Sequence, residues 1–120
     1  MQNPTNLRVT EQARRIAVLV YEGTRQFPAT ERYGLTAQMR DAAVSIGSNI
    51  CEGCGRFGDK ELARFLQMAY GSASELQFQV GLASDLGFLS ADVGGPMLDE
   101  VTRTKKMLSR LITAIRRKGA

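Results

Sequence analysis

The chain of 120 residues contains no histidine, which removes the commonest general base and metal ligand and rules out serine-histidine and cysteine-histidine catalysis. What remains with chemical potential is a pair of cysteines, a glycine-rich run, some adjacent carboxylates and a large set of cations. Cys51-Glu52-Gly53-Cys54 has the C-x-x-C spacing of redox motifs and of half a zinc site. A zinc site needs two further ligands, and the chain has no other cysteine and no histidine to supply them. Redox motifs of this kind sit beside a parallel sheet, for which the sequence gives no sign. Packing is the expected role, and a metal shared between subunits is the one chemical route left open. Gly53-Cys54-Gly55-Arg56-Phe57-Gly58 spells G-x-G-x-x-G. The dinucleotide fingerprint, however, must follow a strand and open a helix. Here a helix comes first, so a turn between helices is expected, with amides at the next helix start as a residual phosphate attractor. Asp99 and Glu100 occupy adjacent helical positions, face different ways and read as solvated surface. No catalytic residue, cofactor or metal is expected.

The cations are more informative. Arg103, Lys105, Lys106, Arg110, Arg116, Arg117 and Lys118 crowd the last helix, and Arg8, Arg14, Arg15 and Arg25 lie on or near the first. If these two helices adjoin, their outer faces form a positive strip able to neutralise phosphates in a salt-dependent way. Arg14, Arg15, Arg103, Lys106, Arg110, Arg116, Arg117 and Lys118 are the expected contributors. The net charge of +4 and pI near 9.4 help attract an RNA or DNA, but such values also occur in proteins that bind neither. No aromatic residues interleave for base stacking, so a plain solvated surface is the competing reading.

The elements that must position these groups follow from composition and period. An apolar share of 43% with 23% charged residues fits a folded protein, and the length suits a single domain over residues 1–120. Scarce aromatics and abundant Ala, Leu, Arg and Gln favour helix. The first helix is expected over about 10–26, opening at a Thr10 N-cap with Glu11 in its first turn and carrying Ala13, Ile16, Val20 and Phe27. The second, over about 36–53, presents Leu35, Met39, Ala42, Ala43, Ile46 and Ile50, with Ser45, Gly47, Ser48 and Asn49 beside them. Buried Ser or Asn must find hydrogen-bond partners, so that side reads as a specified contact. The third, over about 59–87, carries Leu62, Phe65, Ala69, Ala73, Leu76, Val80, Ala83 and Leu86, and spans roughly 40 Å. Gly71 and Gly81 inside it are expected to face a close packing neighbour. The fourth, over about 91–118, carries Met97, Val101, Leu108, Leu111, Ile112 and Ile115, and Gly94-Gly95-Pro96 is expected to fray or kink its start. Short links make sequential helices antiparallel neighbours, so the predicted fold is an all-α, up-down-up-down, left-handed four-helix bundle. No segment is apolar and long enough to cross a membrane, and Met1–Thr10 lacks the apolar region of a signal peptide. A cytoplasmic location is the default expectation.

Several clusters resemble a known family. They are Phe27-Pro28, Tyr33-Gly34-Leu35-Thr36, Arg40-Asp41-Ala42-Ala43-Val44-Ser45-Ile46, Ser48-Asn49-Ile50, Glu52-Gly53 and Gly55-Arg56, followed by Phe65-Leu66, Gly71-Ser72, Glu75-Leu76 and Gly87-Phe88-Leu89. Over nearly the whole chain they resemble the four helix bundle protein family, also called 23S rRNA-intervening sequence protein. The resemblance implies a homopentameric bundle without enzymatic activity, in a family named for reading frames inserted in large-subunit rRNA genes of some bacteria. A more distant likeness is to the accessory variability protein of diversity-generating retroelements, a basic pentamer that engages nucleic acid and a reverse transcriptase. The sequence departs from the family pattern at Cys51, where Ala is typical, and at Gly94-Gly95-Pro96. The resemblance also implies that Ser45, Asn49, Glu52, Arg56 and Glu75 form polar links between helices or subunits that fix register.

Three functions compete at this point. The first is an oligomer presenting basic faces to RNA or DNA. The second is a protein-binding scaffold or accessory subunit, and the third is a metal or thiol protein using Cys51 and Cys54.

Overall fold

A computed structural model describes residues 4–119, with side chains described over residues 8–118. The leader reading of Met1–Thr10 therefore falls partly outside the described residues. The elements are α1 (Pro4–Gly23), a short 3-10 turn at Ala29–Glu31, α2 (Leu35–Cys54), α3 (Asp59–Asp85) and α4 (Ala91–Gly119). Among the described residues there is no strand. Helices adjacent in sequence pack against one another, and α1 also packs on α4, which closes the bundle.

Contacts between neighbours run in opposite order along their chains, as antiparallel packing requires. Gln12 of α1 meets Glu100 and Thr104 of α4, while Gly23, at the other end of α1, lies against Met97 and Val93. On α2 and α3, Ser45 meets Ser72 while Gly53 lies against Phe65 and Leu62. Each helix sends its apolar stripe inward. Val9, Ile16 and Val20 meet Met39, Ile46 and Ile50, Leu66, Leu76 and Val80, and Met97, Val101 and Leu108, all at 1% exposure or less. Burying side chains of this size stabilises by roughly 1.5–3 kcal/mol each, which makes the stripes the main adhesive of the fold.

Small residues set how closely the helices approach. A Cβ on Gly53 would stand 2.9 Å from Phe65 Cβ and 3.3 Å from the Leu62 carbonyl oxygen, so its hydrogen allows α2 to pack tightly on α3. The turn from α3 to α4 is a Schellman cap. Gly87 takes φ 80°, Phe88 N–H donates to Ala83 O at 2.9 Å and Gly87 N–H to Ser84 O at 3.0 Å. Phe88 then meets Phe27 from the α1–α2 connection with ring centroids 5.4 Å apart, closing that end of the core.

Four expectations about the elements are corrected. Leu86, expected on the inward stripe of α3, is 53% exposed, because it is the capping residue beyond the last turn of the helix, where the period no longer sets its direction. Helix α1 begins at Pro4 rather than Thr10, because the apolar period continues upstream through Val9, four residues before Ala13 and 1% exposed. Glu11 consequently lies outside the first turn. Helix α4 runs unbroken through Gly94-Gly95-Pro96. The missing Pro96 N–H orphans only the carbonyl of Asp92, an exposed residue where water can serve. Gly94 is buried, and a Cβ there would come 2.8 Å from Ser84 Oγ, so the glycine brings the start of α4 against the end of α3. Finally, Gly71 and Gly81 have nothing within 4 Å of where a Cβ would sit, and no packing neighbour inside the chain explains them.

Candidate nucleic-acid interface

The adjoining of α1 and α4 satisfies the condition on which the positive strip depended. Spacings of three, four and seven residues put Arg103, Lys106, Arg110 and Arg117 on one outer face of α4, and all four are exposed. No acidic residue follows Glu100 in α4, so the stretch beyond it carries seven cations and no anionic side chain. Arg15 leans from α1 toward α4, its guanidinium 3.6 Å from Glu100 Oε2. Arg8 lines a shallow depression with Val9, Met107 and Arg110, which extends the strip across the α1–α4 seam.

The other expected contributors part company. Arg14 stands two turns before Tyr21, whose ring carries the Arg40 guanidinium of α2 at 4.6 Å; it therefore belongs to the α1–α2 side. Arg116 turns toward α3 and donates to Gln67 Oε1. Lys118 lies 3.9 Å from Asp59 of α3 while 76% of its side chain is exposed. The eight residues do not share one face.

Two features escaped the sequence reading. Glu100, expected to be solvated like its exposed neighbour Asp99, has a side chain only 19% exposed. It accepts from Gln12 Nε2 at 2.8 Å, and the same amide donates to Thr104 Oγ1 at 3.2 Å. Thr104 in turn donates to the Glu100 carbonyl at 2.8 Å. This buried network bridges α1 and α4 directly beneath the strip. The second feature is Tyr70. Arising from α3, it stands beside Lys105 of α4, whose ammonium is 5.1 Å from the ring centroid and donates to Gln77 Oε1 at 2.8 Å. An aromatic ring does lie among the cations, then, contributed by the neighbouring helix.

The five polar residues implied to form links divide into three local groups. Ser45 Oγ pairs with Ser72 Oγ of α3 at 2.9 Å, and Asn49 Nδ2 donates to Ser45 Oγ at 3.0 Å and to its carbonyl at 2.9 Å. Glu52 and Arg56 form an exposed ion pair within α2, and the guanidinium of Arg56 lies 5.0 Å over the Phe65 ring of α3. Glu75 accepts from Gln79 within α3 at 3.4 Å.

Cys51 is exposed and Cys54 buried in the last turn of α2, and neither is in a disulfide. Burial, with Cys51 adding a smaller contribution, pushes the Cys54 thiol above its ordinary range and away from reactive thiolate. Among the described residues no group of three or more His, Cys, Asp or Glu is placed to hold a metal. The glycine motif forms the end of α2 and the turn into α3, with Gly58 at φ 92° as the residue before the helix. No helix among the described residues is long and apolar enough to cross a membrane.

No curated protein matches the chain in sequence. Among solved structures, a protein of unknown function from the S23 ribosomal protein family of Bacteroides thetaiotaomicron superposes with a TM-score of 0.82 at 18% identity. The match covers 91% of this chain and 98% of that one, and it bears on the fold alone. The sequence model described as 23S rRNA-intervening sequence protein matches residues 5–110. With that match running from α1 well into α4, the chain belongs to the 23S rRNA-intervening sequence protein family.

Proposed function

We propose that this protein is a non-enzymatic, self-associating helical bundle that binds RNA or DNA through the basic strip on α4 and the adjoining edge of α1. The observation that carries the proposal is the segregation of charge on α4. Asp92, Asp99 and Glu100 precede a stretch with seven cations and no acidic side chain, and Arg103, Lys106, Arg110 and Arg117 are exposed along one face with no ion pair among the described residues to occupy them. Cations arranged this way release counterions when they meet phosphates, so affinity should fall steeply as salt rises. Self-association, with five copies as the family resemblance implies, is supported by apolar side chains left in water. Phe78 on α3 is 71% exposed and Leu86 is 53% exposed, in line with Leu82.

The same apolar surface favours a second reading, a scaffold for a protein partner with no nucleic-acid role. Light scattering and a salt-titrated RNA-binding assay on one sample separate the two. Binding that weakens linearly in log salt supports the first reading. Binding fully retained at high salt, or none at physiological salt, overturns it.

A further inference from the structure

The groove between α3 and α4 differs from the convex strip beside it. It consists of two adjoining depressions that share Tyr70 and Ser109. One extends toward Gln77, Lys105, Lys106 and Arg110, and the other toward Gln67 and Arg116. No carboxylate lines either. Tyr70 is half-buried and packs on the core, so its position is fixed by the fold. Lys105 is held at the ring on the Gln77 side by its 2.8 Å hydrogen bond, and on the other side the lining continues past Ser109 to Arg116.

A phosphate surface alone needs only cations. A groove that adds a fixed aromatic ring, amides and hydroxyls to those cations offers stacking and hydrogen bonding as well, and every nucleobase has a face to stack and edges to pair. In a duplex those faces are already covered by neighbouring bases. A duplex, which brings two backbones and the stacked pairs between them, is also too broad to enter the channel between helices packed about 8–10 Å apart. It would ride on the α4 ridge. Resting on the nucleic-acid reading above, and making it more specific, we infer that the α3–α4 groove takes a single-stranded segment. An unpaired base takes the place over the Tyr70 ring that the Lys105 ammonium holds in the free protein, and the flanking phosphates meet Lys106, Arg110 and Arg116.

The test compares fluorescein-labelled oligo-uridine with a blunt RNA duplex of equal length, by anisotropy at low salt, on the full chain. Tyr70→Leu keeps the apolar bulk and removes the ring. It should weaken oligo-uridine binding by about 5-fold or more, the lower range for losing one stacked base, and leave duplex binding unchanged. Ser109 is exposed, so Ser109→Leu fills the groove without touching the core or the charge, and it should give the same selective loss. If both variants bind oligo-uridine as the unaltered protein does, or if both ligands weaken in equal proportion, the groove assignment is overturned while the basic strip stands. If the unaltered protein binds neither ligand, the underlying reading fails and takes this inference with it.

Discussion

Gln12 and Glu100, 88 positions apart in sequence, meet at 2.8 Å where α1 crosses α4, and Gln12 is 8% exposed. The carboxylate satisfies a buried amide on one side and faces the Arg15 guanidinium on the other. Removing it leaves Gln12 with Thr104 alone as a side-chain acceptor. Glu100→Ala should therefore cost about 1–3 kcal/mol of stability, read as a lowered urea midpoint at unchanged slope, and Glu100→Gln should cost less. An alanine variant as stable as the parent would show that the bridge adds nothing.

The glycines give a prediction of opposite signs. Gly53→Ala drives a Cβ to 2.9 Å from Phe65 Cβ, with a backbone oxygen at 3.3 Å that cannot swing away. Overpacking of this kind costs about 1–3 kcal/mol, more than the roughly 1 kcal/mol gained in helix propensity. Gly71→Ala meets nothing within 4 Å and keeps the propensity gain, so the monomer should be stabilised by about 0.5–1 kcal/mol. Thermal unfolding of the two variants should shift in opposite directions, and shifts of the same sign would contradict the packing described for α2 on α3.

Within the α2–α3 polar set, Asn49 and Glu52 should behave differently, although the family resemblance implies the same register-fixing role for both. Asn49→Ala removes two hydrogen bonds from a half-buried site and should cost about 1 kcal/mol. Glu52→Ala breaks an exposed i,i+4 pair worth at most about 0.5 kcal/mol. Denaturant titrations of the two variants test this ranking, and light scattering tests register. If both variants keep stability and subunit number, these side chains fix nothing.

The four stripes were legible because each core position recurs every three or four residues, and Met39, Ile46 and Ile50 are buried as that spacing requires. The ends of helices were less legible, since they depend on single residues whose context is tertiary. Thr10 looks like a cap until Val9 is known to be core, and Pro96 looks like a break until the carbonyl it orphans is found at an exposed residue. What joins two helices was legible only where a polar residue sat beside an apolar stripe, as at Ser45, which meets Ser72 of α3. Glu100 reads as surface from α4 alone, because its partner lies on α1. Tyr70 went unnoticed among the cations because they lie on α4 and it comes from α3. For Gly71 and Gly81, nothing in the structure supplies a reason.

Cys54 gives a pH prediction. Its thiol is held above the ordinary value of 9.0, first by burial and then by Cys51, so the folded state keeps a proton that the unfolded chain releases. A raised acid contributes stability that is complete below the unfolded value and is lost as pH climbs through the folded one. Stability should thus decline on the alkaline side from about pH 9, and Cys54→Ala should flatten that decline relative to the parent, while Cys51→Ala, which removes only the smaller of the two causes, should flatten it less. Urea midpoints measured from neutral to alkaline pH decide it, and parallel curves for the parent and Cys54→Ala would rule the linkage out.

The salt dependence of binding allows the strip to be dissected one cation at a time. Each phosphate contact contributes about 0.9 to the slope of log affinity against log salt on duplex DNA. Arg110→Ala and Lys106→Ala each remove an exposed cation with no carboxylate beside it and should lower the slope by about 1. Arg15 already faces Glu100 at 3.6 Å, so part of its charge is spent internally and Arg15→Ala should lower the slope by less. Arg14, on the α1–α2 side of the bundle, should leave the slope where it was when replaced by alanine. This ordering follows from geometry rather than from net charge, since all four substitutions remove one positive charge. Equal slope changes in all four variants would mean that the ligand senses only total charge and that α4 presents no defined binding face.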